Sequence, residues 1–414
     1  MNDGQQRTTA KKEVTMKLEN PNTIDWTFSQ RAQQLQGSVI REILKVTMRP
    51  EVISFAGGLP SPETFPVERM KAAFDTVLSR NGKVALQYGP TDGYAPLREF
   101  LAHSLSNADA TISPEQIMMV SGSQQALDLV GKVLIDEGSK VLVETPSYLG
   151  ALQAFSVYQP AFVSVDMDDN GLVPASVAQK GEGARLLYAL PNFQNPTGRT
   201  LSIERRFELV QTCARMGIPL IEDNPYGDLC YSGEPLPKML NMNPDGVIYM
   251  GSFSKVLTPG IRLGYVVAPK PLVRKLEQAK QAADLHTATL TQMVVYEVIK
   301  DGFLAEHIPT IRQFYAKQCQ VMLDALSRYF PPSVTWTTPL GGMFIWVTLP
   351  TYIDSKELLD AAVAQNIAFV PGAPFYANDP AQNTMRLSFV TVSPERINQG
   401  IEKLGQLIKS RLRA

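Results

Sequence analysis

At 414 residues, with 44% hydrophobic and 19% charged side chains, the chain is too long for one core and too apolar for disorder, which predicts a large domain with a smaller companion. Its 39 basic and 40 acidic residues nearly cancel, so no bulk field favours nucleic acid as a partner. Three scattered cysteines (Cys213, Cys230 and Cys319) and three histidines (His103, His286 and His307), none at metal-ligand spacing, argue against a disulfide framework, a metal site and a histidine-based hydrolase.

Residues 1–25 are polar and aperiodic and predict a flexible arm, with neither a signal-peptide core nor a run of about 18 apolar residues to engage a membrane. A cytoplasmic protein is expected. Between Phe28 and Val46, the positions Ile40, Ile43, Leu44 and Val46 fall at near-helical spacing. Pro50 and the segment from Ile53 through Gly57, Gly58 and Pro60 then end regular structure, so a helix feeds a Gly/Pro-rich loop. From about residue 86 to 284, apolar strand-like runs alternate with amphipathic stretches. Strands are predicted at Gln116–Val120, Lys140–Glu144, Ala161–Val165, Arg185–Leu190, Ile218–Ile221, Val247–Met250 and Leu263–Ala268. Helices such as Gln125–Ile135 and Ile203–Met216 lie between most of them. This is the pattern of a mostly parallel, doubly wound α/β sheet. Residues 285–414 start helical, then give strands at Thr335–Thr338, Met343–Val347 and Met385–Phe389 and helices around Ser355–Gln365 and Pro394–Leu407, a small α+β domain.

In doubly wound sheets the ligand sits at the carboxyl ends of the strands, so the residues following each apolar run are the informative ones. They are Ser121-Gly122-Ser123-Gln124, then Thr145 to Tyr148, Asn192 to Gly198, Glu222-Asp223-Asn224-Pro225-Tyr226, and Gly251-Ser252-Phe253-Ser254-Lys255 followed by Arg262. Ser121 to Gln124 lies between a strand and a helix, where free N–H groups and the helix dipole favour an anion. Alone this is an ordinary N-cap; Ser252, Ser254 and Arg262 beside it make a phosphate cup, and no G-x-G-x-x-G points to a dinucleotide. Lys255, near Arg262 and partly buried, would have its ammonium disfavoured, which suits a nucleophilic amine. Asp223, after an apolar run, is half buried and needs a positive partner such as a protonated pyridine nitrogen.

With Asn195-Pro196-Thr197-Gly198 and the late Met385-Arg386-Leu387-Ser388, these motifs occur in the order and spacing of the pyridoxal-phosphate-dependent aminotransferases of fold type I, class I/II. The chain resembles that family from about Gln36 to its C-terminus. The resemblance implies pyridoxal 5'-phosphate as cofactor and Lys255 as the residue that holds it as a Schiff base and shuttles the substrate proton. It further implies Asp223 at the pyridinium nitrogen, Asn195 and Tyr226 at the phenolic oxygen, and Tyr148 on the ring face. Ser123, Gln124, Ser252, Ser254 and Arg262 would take the phosphate, with Tyr88 reaching it from a neighbouring subunit in a homodimer. Arg386 would bind the substrate α-carboxylate beside Asn195. The family pattern also implies that residues 26–85 form an N-terminal helix and substrate-covering loop shared by the small domain and the dimer contacts.

The start of the chain, from Ser38 to Leu44 and from Ile53 to Pro66, resembles the 2-aminoadipate (LysN-type) and kynurenine aminotransferases. There Arg41 would meet a distal carboxylate, and Gly58 would let backbone approach substrate. The expected reaction moves an amino group from 2-aminoadipate, an aromatic or an aliphatic amino acid to a 2-oxo acid such as 2-oxoglutarate. A β-lyase or racemase on the same scaffold is the alternative, since fold and cofactor do not fix the bond that breaks. A MocR-like effector-binding domain is a further one, disfavoured by the mere 25 or so residues before the first helix, too few for a DNA-binding helix-turn-helix domain.

Overall fold

The computed structural model describes residues 26–33, 37, 43 and 49–413. Within the predicted helix of residues 28–46, Gln30–Gln33 and Ile43 are helical, Phe28, Ser29 and Gly37 are not, and the rest, Arg41 included, lies outside the described residues.

Seven strands form the large sheet in the order Ile117–Val120, Gly264–Val267, Val247–Ser252, Leu220–Asp223, Leu186–Ala189, Lys140–Glu144, Ala161–Val165. Each pairing is parallel except the two made by Gly264–Val267. Alternation along the strands fills two cores. Met119, Leu142, Leu187, Leu220 and Val247 pack beneath the helices Val67–Ala85, Ala95–Leu105, Ile203–Met216 and Thr289–Ile299. Met118, Val141, Val143, Ile221 and Ile248 pack beneath Ser123–Leu134, Leu149–Ser156 and Lys270–Ala283. Both faces are sealed, which is why these strands read as continuous apolar runs. The seven predicted strands are all present, with ends shifted by a few residues. The largest shift moves Ile218–Ile221 to Leu220–Asp223, because the left-handed Gly217 that stops the preceding helix and Pro219 delay the ladder. That helix starts where Ser202 accepts from the Arg205 N–H.

The second sheet is antiparallel, ordered Thr335–Trp336, Phe344–Thr348, Thr384–Ser388, Val370–Pro371, and shares its core with the helices Phe303–Tyr329, Ser355–Val363 and Pro394–Lys409. The N-terminal segment completes it. Ile53–Ser54, expected to be irregular, pairs in parallel with Ile367–Ala368, and the Phe55 carbonyl accepts from the Ser388 N–H at 2.8 Å.

Core packing crosses the expected boundaries at residues 85 and 284. The helix Val67–Ala85, absent from the predicted elements, buries Met70, Ala73 and Val77 in the large-domain core together with Met293, Val294 and Val298 of Thr289–Ile299. The long helix Phe303–Tyr329 then begins in that core through Phe303, Leu304 and Ile308. It continues in the small-domain core from Ile311 onward, so the change of core falls at Pro309.

In the small domain, Gly405 lets the last helix pass against the end of Phe303–Tyr329: a Cβ there would stand 2.6 Å from the Tyr329 carbonyl oxygen, a backbone atom. Gly405→Ala is therefore expected to destabilise the fold by about 1–3 kcal/mol through overpacking. Thermal unfolding checks this, and a Tm equal to that of the unsubstituted protein would contradict the close approach.

Candidate functional site

Polar residues gather where the large sheet's strands end and the small domain leans over them. The turn after Ile117–Val120 puts Gly122 at φ +87°, and the helix Ser123–Leu134 begins at once, so the first-turn N–H groups of Ser123 and Gln124 have no intrahelical partner. Arg262 sits against this turn, with Nη2 donating to the Ser121 carbonyl at 3.4 Å. A Cβ on Gly122 would come within 2.5 Å of the same nitrogen. Gly264 brings the Val247–Ser252 side close, since a Cβ there would be 3.3 Å from the Ser123 nitrogen. Ser252 Oγ accepts from the Ser254 N–H at 3.1 Å. Gln124 differs in one respect from the expectation that its side chain takes part: it donates to the Gly150 carbonyl at 3.0 Å, leaving the backbone N–H as its offering to the cup.

Beyond the cup, Asp223 ends its strand 2% exposed. Tyr188 donates its hydroxyl to Oδ2 at 2.6 Å, while Oδ1 is buried with no hydrogen-bond partner. Burial pushes the Asp223 pKa up to about 6 although the Tyr188 hydrogen bond pulls it down. One donated hydrogen bond and one orphaned oxygen fit a cationic N–H, the form a protonated pyridine ring presents. Lys255 follows in the next turn, half-buried, with Nζ donating to the Gly58 carbonyl at 2.9 Å and lying 5.9 Å from the centre of the Tyr226 ring. Burial first, then the guanidiniums of Arg386 and Arg262, lower its pKa to about 8. Such an amine is partly neutral near physiological pH, which nucleophilic attack requires.

Arg386 is the longest reach across the domains. Its strand of the small sheet holds it 2% exposed, not on a solvent face. Its guanidinium lies 4.3 Å from the Phe344 ring centre and 5.1 Å from that of Phe375. Nη1 donates to Asn195 Oδ1 and Nη2 to the Ala56 carbonyl, each at 2.8 Å, and the buried Nε has no partner. Asn195 in turn points its Nδ2 at the Tyr226 hydroxyl, 3.5 Å away, from a loop with cis bonds before Pro196 and, next to it in space, before Pro146. Tyr148 starts the helix Leu149–Ser156 and turns its ring back over Gly150, where a Cβ would meet it at 2.5 Å. Its hydroxyl is raised in pKa by burial and by Asp223, with Arg386 and Arg262 opposing.

The structure thus brings Ser123, Gln124, Tyr148, Asn195, Asp223, Tyr226, Ser252, Ser254, Lys255, Arg262, Arg386 and Gly58 to one cleft. Tyr88 stands apart: it is 79% exposed, its ring edge-on to His286 at 5.8 Å. Arg41 lies outside the described residues. Sequence reasoning passed over Tyr188, yet its register was a usable signal: it pairs with Ile221, so it shares a sheet face with Asp223 two residues on. Glu144 was also missed. It is buried beneath the Asn195 loop, accepts from the Leu190 N–H and Gln194 Nε2 at 3.2 Å each, and is pushed up to about 8 chiefly by burial. Among the described residues no group of histidine, cysteine or carboxylate side chains could hold a metal ion.

Residues 50–404 match the family described as aminotransferase class I and II. Aromatic-amino-acid aminotransferase 1 of Thermococcus litoralis is 44% identical over 97% of this chain and 99% of its own length. Among solved structures, LysN, the alpha-aminoadipate aminotransferase of Thermus thermophilus complexed with N-(5'-phosphopyridoxyl)-L-leucine, superimposes with a TM-score of 0.87 at 44% identity, covering 92% of this chain and 97% of that one. The kynurenine aminotransferase of Pyrococcus horikoshii gives 0.89 at 43% identity over 94% and 98%.

Removing the Tyr188 hydroxyl deletes a hydrogen bond that favours the ionised carboxylate, so Tyr188→Phe should move the Asp223 titration upward from about 6. Carboxyl-labelled aspartate followed by NMR across pH in the cofactor-free protein reads this directly. An unmoved midpoint would mean that the bond does not tune Asp223.

Proposed function

The chain belongs to the class I and II aminotransferases and is a pyridoxal 5'-phosphate-dependent enzyme of fold type I that transaminates amino acids and 2-oxo acids; we propose that Lys255, Asp223 and Arg386 are the three groups on which its reaction turns. When bound, the cofactor supplies an aldehyde for attachment to an amine and a protonated ring that draws electrons from the substrate Cα. Lys255 Nζ would hold that aldehyde and, once released by the incoming amino acid, take the proton from Cα and return it two bonds away, at the carbon that carried the aldehyde. Its pKa of about 8 keeps both roles within reach near neutrality. Asp223 Oδ1 would accept the ring N–H, with Tyr188 holding the other oxygen. Asn195 and Tyr226 would bind the phenolic oxygen, and Tyr148 would cover one ring face. The turn at Ser121–Gln124, with Ser252, Ser254 and Arg262, would bind the phosphate.

Arg386 would take the substrate α-carboxylate in a two-pronged pairing, with Asn195 beside it. It belongs to the small domain and Asn195 to the large one, so a carboxylate bound there would draw the two domains together. Gly58 lies over Lys255 with its carbonyl already in contact, which supports a covering loop that would lie against the substrate. The observation that carries this reading is the convergence of a cation-poor carboxylate and a depressed amine at neighbouring strand ends. Tyr88, exposed beside the likewise exposed Leu86 and Leu285, suits a homodimer in which it reaches the neighbouring phosphate. Among the described residues no helix is long and apolar enough to cross a membrane, and we place the enzyme in the cytoplasm.

For the amino donor we favour 2-aminoadipate or an aromatic amino acid, on the likeness to relatives so named, or an aliphatic one, with 2-oxoglutarate as acceptor. Steady-state rates with varied donor and acceptor should give the parallel double-reciprocal lines of a ping-pong reaction. Lys255→Ala should lose at least about 10²-fold in turnover, toward the ~10⁴-fold end of what a general base supplies. Arg41→Ala should penalise acidic donors selectively. Intersecting lines, or pyruvate and ammonia released from a β-substituted amino acid without any acceptor, would replace this reading with another pyridoxal chemistry.

A further inference from the structure

Behind the phosphate cup lies a second layer of charge. Lys280, on the helix Lys270–Ala283, has a fully buried side chain whose Nζ donates to both Asp284 oxygens at 2.8 and 2.9 Å and to Gln125 Oε1 at 2.8 Å. Gln125 is in the first turn of the helix that starts at Ser123. Its Oε1 also accepts from the Ser121 N–H at 2.8 Å, and its Nε2 donates to Asp284 Oδ2 at 2.6 Å. Ser121 Oγ donates to that same Oδ2 at 3.3 Å and lies 3.2 Å from Thr287 Oγ1. With Arg262 on its carbonyl oxygen, Ser121 has its N–H, its carbonyl and its hydroxyl all engaged.

Lys280 is buried and Asp284 is not, with 0% and 31% of their side chains exposed, so the pair is a poor source of stability, since desolvating the lysine offsets the attraction. Burial does lower the Lys280 pKa, with Asp284 opposing. The pair's placement has a clearer consequence. Asp284 puts a carboxylate within hydrogen-bond distance of Ser121, one residue from the turn where the phosphate dianion would sit, and Lys280 cancels that charge. Gln125 ties both to the peptide that precedes Gly122, whose left-handed turn orients the first-turn N–H groups.

We infer that Lys280, Asp284 and Gln125 are positioning residues for the cofactor phosphate: they fix the Ser121–Gly122 turn and neutralise the carboxylate behind it. The inference rests on reading Ser121–Gln124 and Arg262 as the phosphate cup, and it makes the charge balance directional. Loss of the Lys280 charge alone leaves Asp284 facing the phosphate. Loss of both charges removes the repulsion.

The test compares binding of pyridoxal 5'-phosphate and of pyridoxal, which lacks the phosphate, to cofactor-free protein. Lys280→Met should weaken pyridoxal 5'-phosphate by at least about tenfold, the scale of one charge-assisted contact, and leave pyridoxal within about twofold. The double variant Lys280→Met/Asp284→Asn should recover most of that loss. Gln125→Leu, which keeps the ion pair and frees the Ser121 N–H, should also weaken the phosphorylated form selectively and stands in if Lys280→Met does not fold. Equal losses for both ligands, or a double variant no better than the single, would overturn the inference. Arg262→Met separates the two readings. If it narrows the preference for the phosphorylated ligand while the Lys280 and Gln125 variants do not, the cup stands and the second layer falls. If Arg262→Met leaves the preference intact, the cup itself is misplaced.

Discussion

An aspartate 2% exposed at the end of a central strand is costly to keep ionised unless donors or a cation meet both of its oxygens. At Asp223 the fold supplies one donor, the Tyr188 hydroxyl, and leaves the second oxygen buried and unmet. Much else in the site follows from that single constraint. Both faces of the large sheet are packed with apolar side chains, so polar chemistry is confined to the strand tips, and the tips converge. A ring cation on Asp223 would then set where a phosphate, a phenolic oxygen and an amine must be found, and side chains able to bind each stand at successive strand ends.

Lys255 completes the opposite requirement. Its hydrogen-bond partner is a carbonyl, its charged neighbours Arg386 and Arg262 are both cationic, and its pKa falls to about 8. An amine meant to remain a cation would be given a carboxylate, as Lys280 is given Asp284. The two lysines show the same side chain put to opposite uses by its neighbours. Arg386 adds the second domain to this arrangement, through bonds to Asn195 on the large domain and to the Ala56 carbonyl on the N-terminal segment. The helix that carries the chain from one core to the other changes allegiance at Pro309, where the ring removes a helical hydrogen bond.

The strand-end residues could be read from the chain because apolar runs buried on both faces are easy to see and the polar tips stand out against them. Tyr188 and Glu144 were hidden inside such runs: a tyrosine in an apolar strand looks like core, and only the register against Ile221 shows that it faces Asp223. Lys280 was hidden for another reason. It sits in a charged amphipathic helix where a lysine is ordinarily solvated, and its burial depends on Gln125 and Asp284, one of them more than 150 residues away in sequence. The helix Val67–Ala85 escaped notice because its buried stripe is made of Met70, Ala73 and Val77, a narrow apolar face among many polar residues. Its assignment to the large domain rests on packing against Thr289–Ile299, which local pattern does not encode.

The central claim is that one amine, on Lys255, carries the cofactor. Borohydride reduction of the loaded protein followed by digestion and mass spectrometry tests it most directly. The account predicts a phosphopyridoxyl mass on the peptide containing Lys255 and loss of that adduct in Lys255→Ala; an adduct fixed on a different lysine, or none on any peptide, would contradict it.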